Sequence, residues 1–339
     1  MKLASQKARR DGRLLVVSRD LRRAVYAAGI AETLQEALDD CSAIFPKLHE
    51  LALQLESGAV ESVTFDPTLC AAPLPRAFQW IDGSAYVNHV ELMRKSRDEQ
   101  LPQSFWTEPL LYQGGSDDFL GACDPIPFGG QNWGADFEAE IAVITDDVPM
   151  GVTTDAAIEH VKLYLIANDV SLRRLIPSEL ATGFGFFLGK PATAFSPVAV
   201  TPDELADCMS DGRLDLEMTV RLNGEEFGRA KANVDQVFTF ADLIARAAST
   251  RNLGAGTIVG GGTISNKLDG GPGLPIRDGG AGYSCIAEQR AVETILHDRP
   301  TTGWLDTGDH IEIEMVSASG ESLFGTIAQT VTNHPSSAQ

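Results

Sequence analysis

Apolar and acidic positions alternate along residues 136–144, Asp-Phe-Glu-Ala-Glu-Ile-Ala-Val-Ile. Phe137, Ala139 and Ile141 fall on one face and Glu138 and Glu140 on the other, the period-two signature of a strand. The two carboxylates then point the same way, roughly 7 Å apart along the strand. If that face is wet, the pattern is an ordinary half-exposed strand. If it is buried, carboxylates brought to about 4 Å repel by roughly 4 kcal/mol at an effective dielectric near 20. Solvent, a proton or a cation must offset that repulsion.

The same patterning organises the rest of the chain. Residues 14–18 and 22–28 read as short strands joined by a turn at Arg19-Asp20. Thr33-x-x-Glu36 has capping-box spacing and opens a helix to about Cys41. A second helix is predicted from Pro46 to Glu56, with Leu48, Leu51, Ala52 and Leu55 on one face and Gly58 ending it. Pro73 and Pro75 mark an extended linker, which divides the chain into residues 1–75, a small α+β domain, and residues 76–339. Beyond the linker short strands dominate, at 141–145, 163–169, 215–222, 257–260, 310–316 and 323–331, the last two forming a hairpin about a 317–322 turn. Helices are predicted only at 154–164, with Thr154 as N-cap, at 202–208, and at 240–250 after a Thr239-x-x-Asp242 box. The fold class is therefore α+β and β-rich, a roll or sandwich rather than a doubly wound parallel sheet. The glycines of 254–260 have the wrong spacing for a dinucleotide loop, and β-branched residues stand where its helix would begin.

Composition narrows the function. The 339 residues include 27 Lys+Arg against 47 Asp+Glu, a net charge of −20, which argues against nucleic acid as a partner. No apolar run approaches the roughly 20 residues of a membrane span. Cys41, Cys70, Cys123, Cys208 and Cys285 are odd in number and lack a CxxC pair, which fits a reducing cytoplasm better than a disulfide framework.

Three further segments carry chemistry. Trp80-Ile-Asp82-Gly-Ser-Ala-Tyr86-Val-Asn-His89 sets an acid seven residues before a histidine. Leu165-Ile-Ala-Asn-Asp169-Val-Ser-Leu-Arg173 ends an apolar strand in an acid, and Gly185-Phe-Phe-Leu-Gly-Lys190 ends a glycine-flanked apolar run in a lysine. Singly, each has an ordinary explanation: a surface histidine, a turn former, a solvated lysine. Taken with Phe137-Glu138-Ala-Glu140, Gly262-Thr263-Ile-Ser265 and Gly308-Asp309-His310-Ile311-Glu312-Ile313, their order and spacing resemble the fumarylacetoacetate hydrolase family over about residues 76–331. The first 70 residues resemble the accessory N-terminal domain of its longer members.

The resemblance implies a mixed β-sandwich roll in the second domain and one divalent cation held by Asp82, Glu138, Glu140 and Asp169. An all-oxygen set suits a hard ion, Mg²⁺ first, with Ca²⁺ or Mn²⁺ as alternatives. It makes His89 the general base, oriented by Glu288, and makes Lys190, aided by Arg94 or Arg97, the charge facing a developing oxyanion. Tyr112, Arg173 and Thr263 become substrate-binding residues. The implied activity is metal-assisted C–C cleavage of a β-diketo acid, fumarylacetoacetate to fumarate and acetoacetate, by a homodimer. An acylpyruvate hydrolase or a 2-hydroxydienedioate decarboxylase or isomerase using the same metal site is the alternative. Where some members carry a glutamine after the Asp169 strand, this chain has Leu175-Ile176.

Overall fold

The computed structural model describes residues 1–128, 132–317 and 319–333. Among them, eleven strands form one sheet and five form a second, so the molecule is strand-rich α+β. The acidic strand is Ala139–Thr145, buried throughout its length. It pairs antiparallel with Val161–Asn168 on one side and with Ile258–Gly260 on the other. Ile258–Gly260 in turn pairs in parallel with Trp80–Gly83, which pairs antiparallel with Leu111–Gly114 at the sheet edge. Four chain segments distant in sequence thus become neighbours, and the register sets Asp82 beside Gly260 and Tyr112.

Gly260 matters because it has no side chain. A Cβ there would lie 2.3 Å from Asp82 Oδ1 and 2.5 Å from the Trp80 ring. The missing side chain lets the Asp82 carboxylate lean over the intervening strand toward the acidic one.

The N-terminal segment extends the same sheet. Strand Lys2–Gln6 pairs with Arg13–Val17 and with Ala199–Val200, so the hydrogen-bonded ladder runs across the linker. Leu3, Leu14 and Leu38 share a core with Leu163, Phe195 and Ile258. Lys2–Gln6 is absent from the sequence reading because Lys-Leu-Ala-Ser-Gln has no β-branched residue and little alternation. Strand Arg23–Tyr26 and helix Leu34–Asp39 lie where the sequence places them. Thr33 Oγ1 accepts from the Glu36 N–H, but the Glu36 carboxylate turns back to the Glu32 N–H, so only half of the capping box forms.

Other boundaries move. The second helix runs Cys41–Ser57, with Pro46 inside it rather than at its start. Pro46 is the sixth helical residue, so the Ser42 carbonyl loses its i+4 donor and the helix continues on its tertiary packing. The predicted 154–164 helix shortens to Thr154–Ala157 plus a 3-10 turn to His160, with Thr153 at the N-cap position, and Val161 already opens the long strand. The apolar run from Val161 belongs to the sheet, and tertiary pairing overrides helix propensity there. The Thr239/Asp242 capping box is complete and opens Phe240–Ala247. In the second sheet, His310–Val316 alternates buried and half-buried positions and pairs with Ile327–Asn333, so the returning strand starts four residues later than predicted. Residue 318 of the intervening turn lies outside the described residues.

Candidate active site

His89 and Glu288 are brought together by a helix pair. His89 lies on helix Val87–Lys95 and Glu288 in the first turn of Ile286–His297. Leu92 sits one turn after His89, and Ala291 and Val292 one turn after Glu288; these three residues pack in one small core with Tyr283. Since i, i+3 and i+4 share a helix face, that packing turns the imidazole and the carboxylate toward each other. His89 Nδ1 lies 3.0 Å from Glu288 Oε1. With Nδ1–H donating to this buried carboxylate, Nε2 keeps its lone pair on the cleft side. Glu288 Oε2 also accepts from the Ser284 N–H at 3.3 Å.

The acids divide into two groups. One oxygen each from Asp82, Glu140 and Asp169 lies within 4.8 Å of the others, and all three residues are buried. Glu138 stands beside this trio and is claimed by cations: Arg173 donates to it at 2.7 Å and Lys190 donates to its other oxygen. Lys190 also donates to Asp169 Oδ2 at 2.6 Å. Asp169 further accepts from Thr193 Oγ1 at 2.6 Å and from the Tyr112 hydroxyl at 2.5 Å. By contrast, Asp82 Oδ1 and Glu140 Oε2 are buried with no hydrogen-bond partner among the described residues.

Acidities follow this division. Burial pushes the Asp82 carboxyl up to about 8, with Asp169 adding repulsion and Lys190 opposing. Burial and the charges of Asp82, Asp169 and Glu138 push Glu140 well above the carboxylate range. Burial would raise Glu138 as well, but Arg173, Lys190 and His89 outweigh it and hold this carboxyl below its ordinary value. Lys190 is held above its ordinary value because Asp169 and Glu138 outweigh the cost of its burial. Two orphaned carboxylate oxygens in an oxygen-only trio fit a hard divalent cation, which would satisfy both and cancel their repulsion.

The remaining residues fall as follows. Arg173 is engaged internally, donating to Asp136 at 2.8 Å as well as to Glu138. Tyr112 is occupied by Asp169 rather than offering an unengaged hydroxyl. Thr263 is buried at the wall of the cleft, while Arg94 and Arg97 line its rim and both pair with Glu99, at 3.3 and 3.6 Å. Asp136 was missed as a participant. It is fully buried, accepts the Ile286 and Ala287 N–H groups at 2.7 and 3.0 Å, and fixes the helix carrying Glu288 through that helix's N-terminus. Its place two residues before Glu138 in the same alternation was the available signal. The cleft encloses about 520 Å³, and Ile176, Leu180 and Phe186 give it an apolar wall where the Leu175-Ile176 departure falls.

A strand-rich α+β scaffold that buries an acidic trio beside a His–Glu pair at the floor of one cleft defines the class of site. Residues 79–332 match the fumarylacetoacetate hydrolase C-terminal family and residues 1–76 match fumarylacetoacetase N-terminal domain 2. The chain belongs to the fumarylacetoacetate hydrolase family. A mitochondrial oxaloacetate tautomerase of Homo sapiens is 29% identical over 199 residues, 58% of this chain and 57% of that protein. The chain spans about half the length of the first curated relatives it matches, 48% and 57%. In fold it is similar to fumarylacetoacetate hydrolase from Exiguobacterium antarcticum, with TM-score 0.66 and 18% identity over 98% of this chain and 100% of that one. It is also similar to maleylpyruvate hydrolase from Sphingobium sp. SYK-6 in complex with manganese(II) and pyruvate, with TM-score 0.62 and 17% identity over 98% and 99% of the two chains. Among the described residues, no helix is long and apolar enough to cross a membrane.

Proposed function

We propose that this chain is a divalent-cation-dependent hydrolase that cleaves a C–C bond in a β-diketo acid, with fumarylacetoacetate as the first substrate to try. The observation that carries the reading is the 3.0 Å His89–Glu288 contact beside the Asp82/Glu140/Asp169 trio. Asp82, Glu140 and Asp169 would hold the cation, with Glu138 as the fourth carboxylate; when bound, it supplies positive charge to the oxygens of the diketo acid. Mg²⁺ is the ion proposed, and the manganese complex of the maleylpyruvate hydrolase relative supports a divalent ion of this kind.

His89 Nε2 takes a proton from water, and the hydroxide adds to the carbonyl carbon distal to the bound end of the substrate. Glu288 holds the imidazole in the required tautomer and stabilises the imidazolium. The C–C bond then breaks, its electron pair passes to the enolate of the leaving fragment, and the imidazolium proton returns to that fragment's carbon. Lys190, released from one of its two carboxylates, provides charge at the developing oxyanion.

Oxaloacetate tautomerisation is the second reading, favoured by the names of the curated relatives. It needs proton transfer but no attacking water. The test follows loss of diketone absorbance with fumarylacetoacetate, with and without Mg²⁺, and identifies the products. Fumarate plus acetoacetate formed only with the ion supports the proposal. An intact diketone alongside rapid enol–keto exchange of oxaloacetate would replace it with the second reading.

A further inference from the structure

The helix that carries Glu288 also carries a charge the proposed chemistry leaves unused. Ala287, Arg290, Ala291 and Thr294 lie at i, i+3, i+4 and i+7 along Ile286–His297, and all four line the cleft. Arg290 therefore stands about 4.5 Å farther along the helix axis than Ala287, roughly one turn out from the His–Glu pair. Its guanidinium carbon lies 4.3 Å from the centroid of the Trp304 ring, and one Nη donates to the Thr302 carbonyl. Among the described residues, no carboxylate oxygen comes within 4.0 Å of that guanidinium.

Of the four arginines that line the cleft, Arg94, Arg97, Arg173 and Arg290, only Arg290 lacks a carboxylate partner among the described residues. Arg173 has Asp136 and Glu138, Arg94 and Arg97 share Glu99, and Arg229 has Glu226. Glu293, one turn beyond Arg290, is occupied elsewhere: its carboxylate accepts from the Thr301 and Thr302 N–H groups and the Thr302 hydroxyl. Burial lowers the Arg290 pKa; Glu293 opposes this only in part, and Arg174 adds like charge. The cation is thus under-neutralised, partly desolvated and placed over an aromatic face at the cleft wall. A guanidinium in that state favours a carboxylate, which its planar fork can bind through two parallel hydrogen bonds.

We propose that Arg290, shelved on Trp304, is an anion subsite that takes the distal carboxylate of a dicarboxylic diketo acid. The proposal rests on the diketo-acid reading of the cleft and narrows it: the substrate carries a carboxylate at each end, one held at the acidic floor and one at Arg290. A cleft of about 520 Å³ has room for such an extended molecule.

The test compares a seven-carbon 2,4-dioxo dicarboxylate with 2,4-dioxoheptanoate, its monocarboxylate of equal length, in wild type, Arg290→Met and Arg290→Lys. Arg290→Met should lower kcat/KM for the dicarboxylate by about 10- to 100-fold and for the monocarboxylate by less than about threefold. Arg290→Lys, which keeps the charge and can still reach Thr302, should recover part of the loss. Equal losses on both substrates, or an unchanged dicarboxylate rate, would overturn the subsite. A calorimetric arm measures binding of a cleavage-resistant dicarboxylic diketone and its monocarboxylate to the same three proteins. If wild type cleaves neither of these diketo acids, the fumarylacetoacetate assay decides the hydrolase reading and this arm still decides the subsite. Dicarboxylate affinity that drops with Arg290→Met keeps it, and affinity that does not drop removes it.

Discussion

Glu138 and Glu140 are the same residue type and both buried, Glu140 on the strand Ala139–Thr145 and Glu138 immediately before it, and their surroundings differ in kind. Around Glu138 the chain closes its own charge balance: Arg173 and Lys190 donate to it, and its carboxyl sits below its ordinary acidity range. Around Glu140 the neighbours are Asp82 and Asp169, one oxygen has no partner, and the carboxyl sits well above that range. One region is an ion-pair network that builds the floor of the site. The other is a set of oxygens whose charge must be met by protons or by a cation from solution. Burial is common to both, so the sign of the neighbours decides whether an acid's charge is met within the chain or left to be met from solution.

The sharpest way to break the comparison is to remove the cation from the balanced side. Arg173→Met leaves Asp136 and Glu138 buried without their shared partner, and stability should fall by about 3–5 kcal/mol in urea unfolding. A loss below about 1 kcal/mol would mean that the network is not what holds Glu138 down. His89→Ala leaves Asp82, Glu140 and Asp169 in place and removes only a minor charge near Glu138, 4.0 Å from the imidazole. It should lower kcat by at least about 10²-fold in steady-state assays while cation affinity stays as in wild type. Full activity in that variant would end the assignment of the base.

The same comparison also sets the pH dependence of the metal-free protein. Asp82 and Glu140 have folded-state values raised above their unfolded ones, so their stabilisation is fully present below about pH 4 and is lost as pH rises, for Asp82 through about 8. Glu138 has the opposite sign, with stabilisation present above about pH 4.5 and lost only in stronger acid. Between pH 5 and 8 the metal-free protein should therefore lose stability, by at most about 1.4 kcal/mol per pH unit for each proton released. Saturating divalent cation should flatten that slope. Thermal melts across the range check it, and a metal-free slope of the opposite sign would contradict the division.

Much of this was legible in the residues themselves. The alternation reports the strand Ala139–Thr145 that carries Glu140, although the strand expected over 136–144 breaks at Phe137-Glu138 after the short Ala135–Asp136 pairing, and the order of Asp82, His89, Asp169 and Lys190 along the chain carries the family resemblance. The structure also confirms the strand-rich α+β class. What escaped depends on partners that only tertiary register supplies. The sequence does not reveal that Arg173 donates to Asp136 and Glu138, or that Tyr112 donates to Asp169, although both residues line the cleft. Arg290 could not be singled out without the phase of its helix relative to Glu288 and the arrival of Trp304 from a later loop. The 154–164 helix failed for a related reason, since Val161 onward is apolar in either reading and only pairing with Ala139–Thr145 makes it a strand.

The central claim is that Asp82, Glu140 and Asp169 together hold one divalent cation. Calorimetric titration of the metal-free protein with Mn²⁺, repeated in two buffers of different ionisation enthalpy, tests it most directly. One ion should bind per chain with release of protons from the raised carboxyls, and Glu140→Gln should abolish or severely weaken that binding. Absence of binding in wild type, or an affinity that Glu140→Gln leaves untouched, would contradict the account.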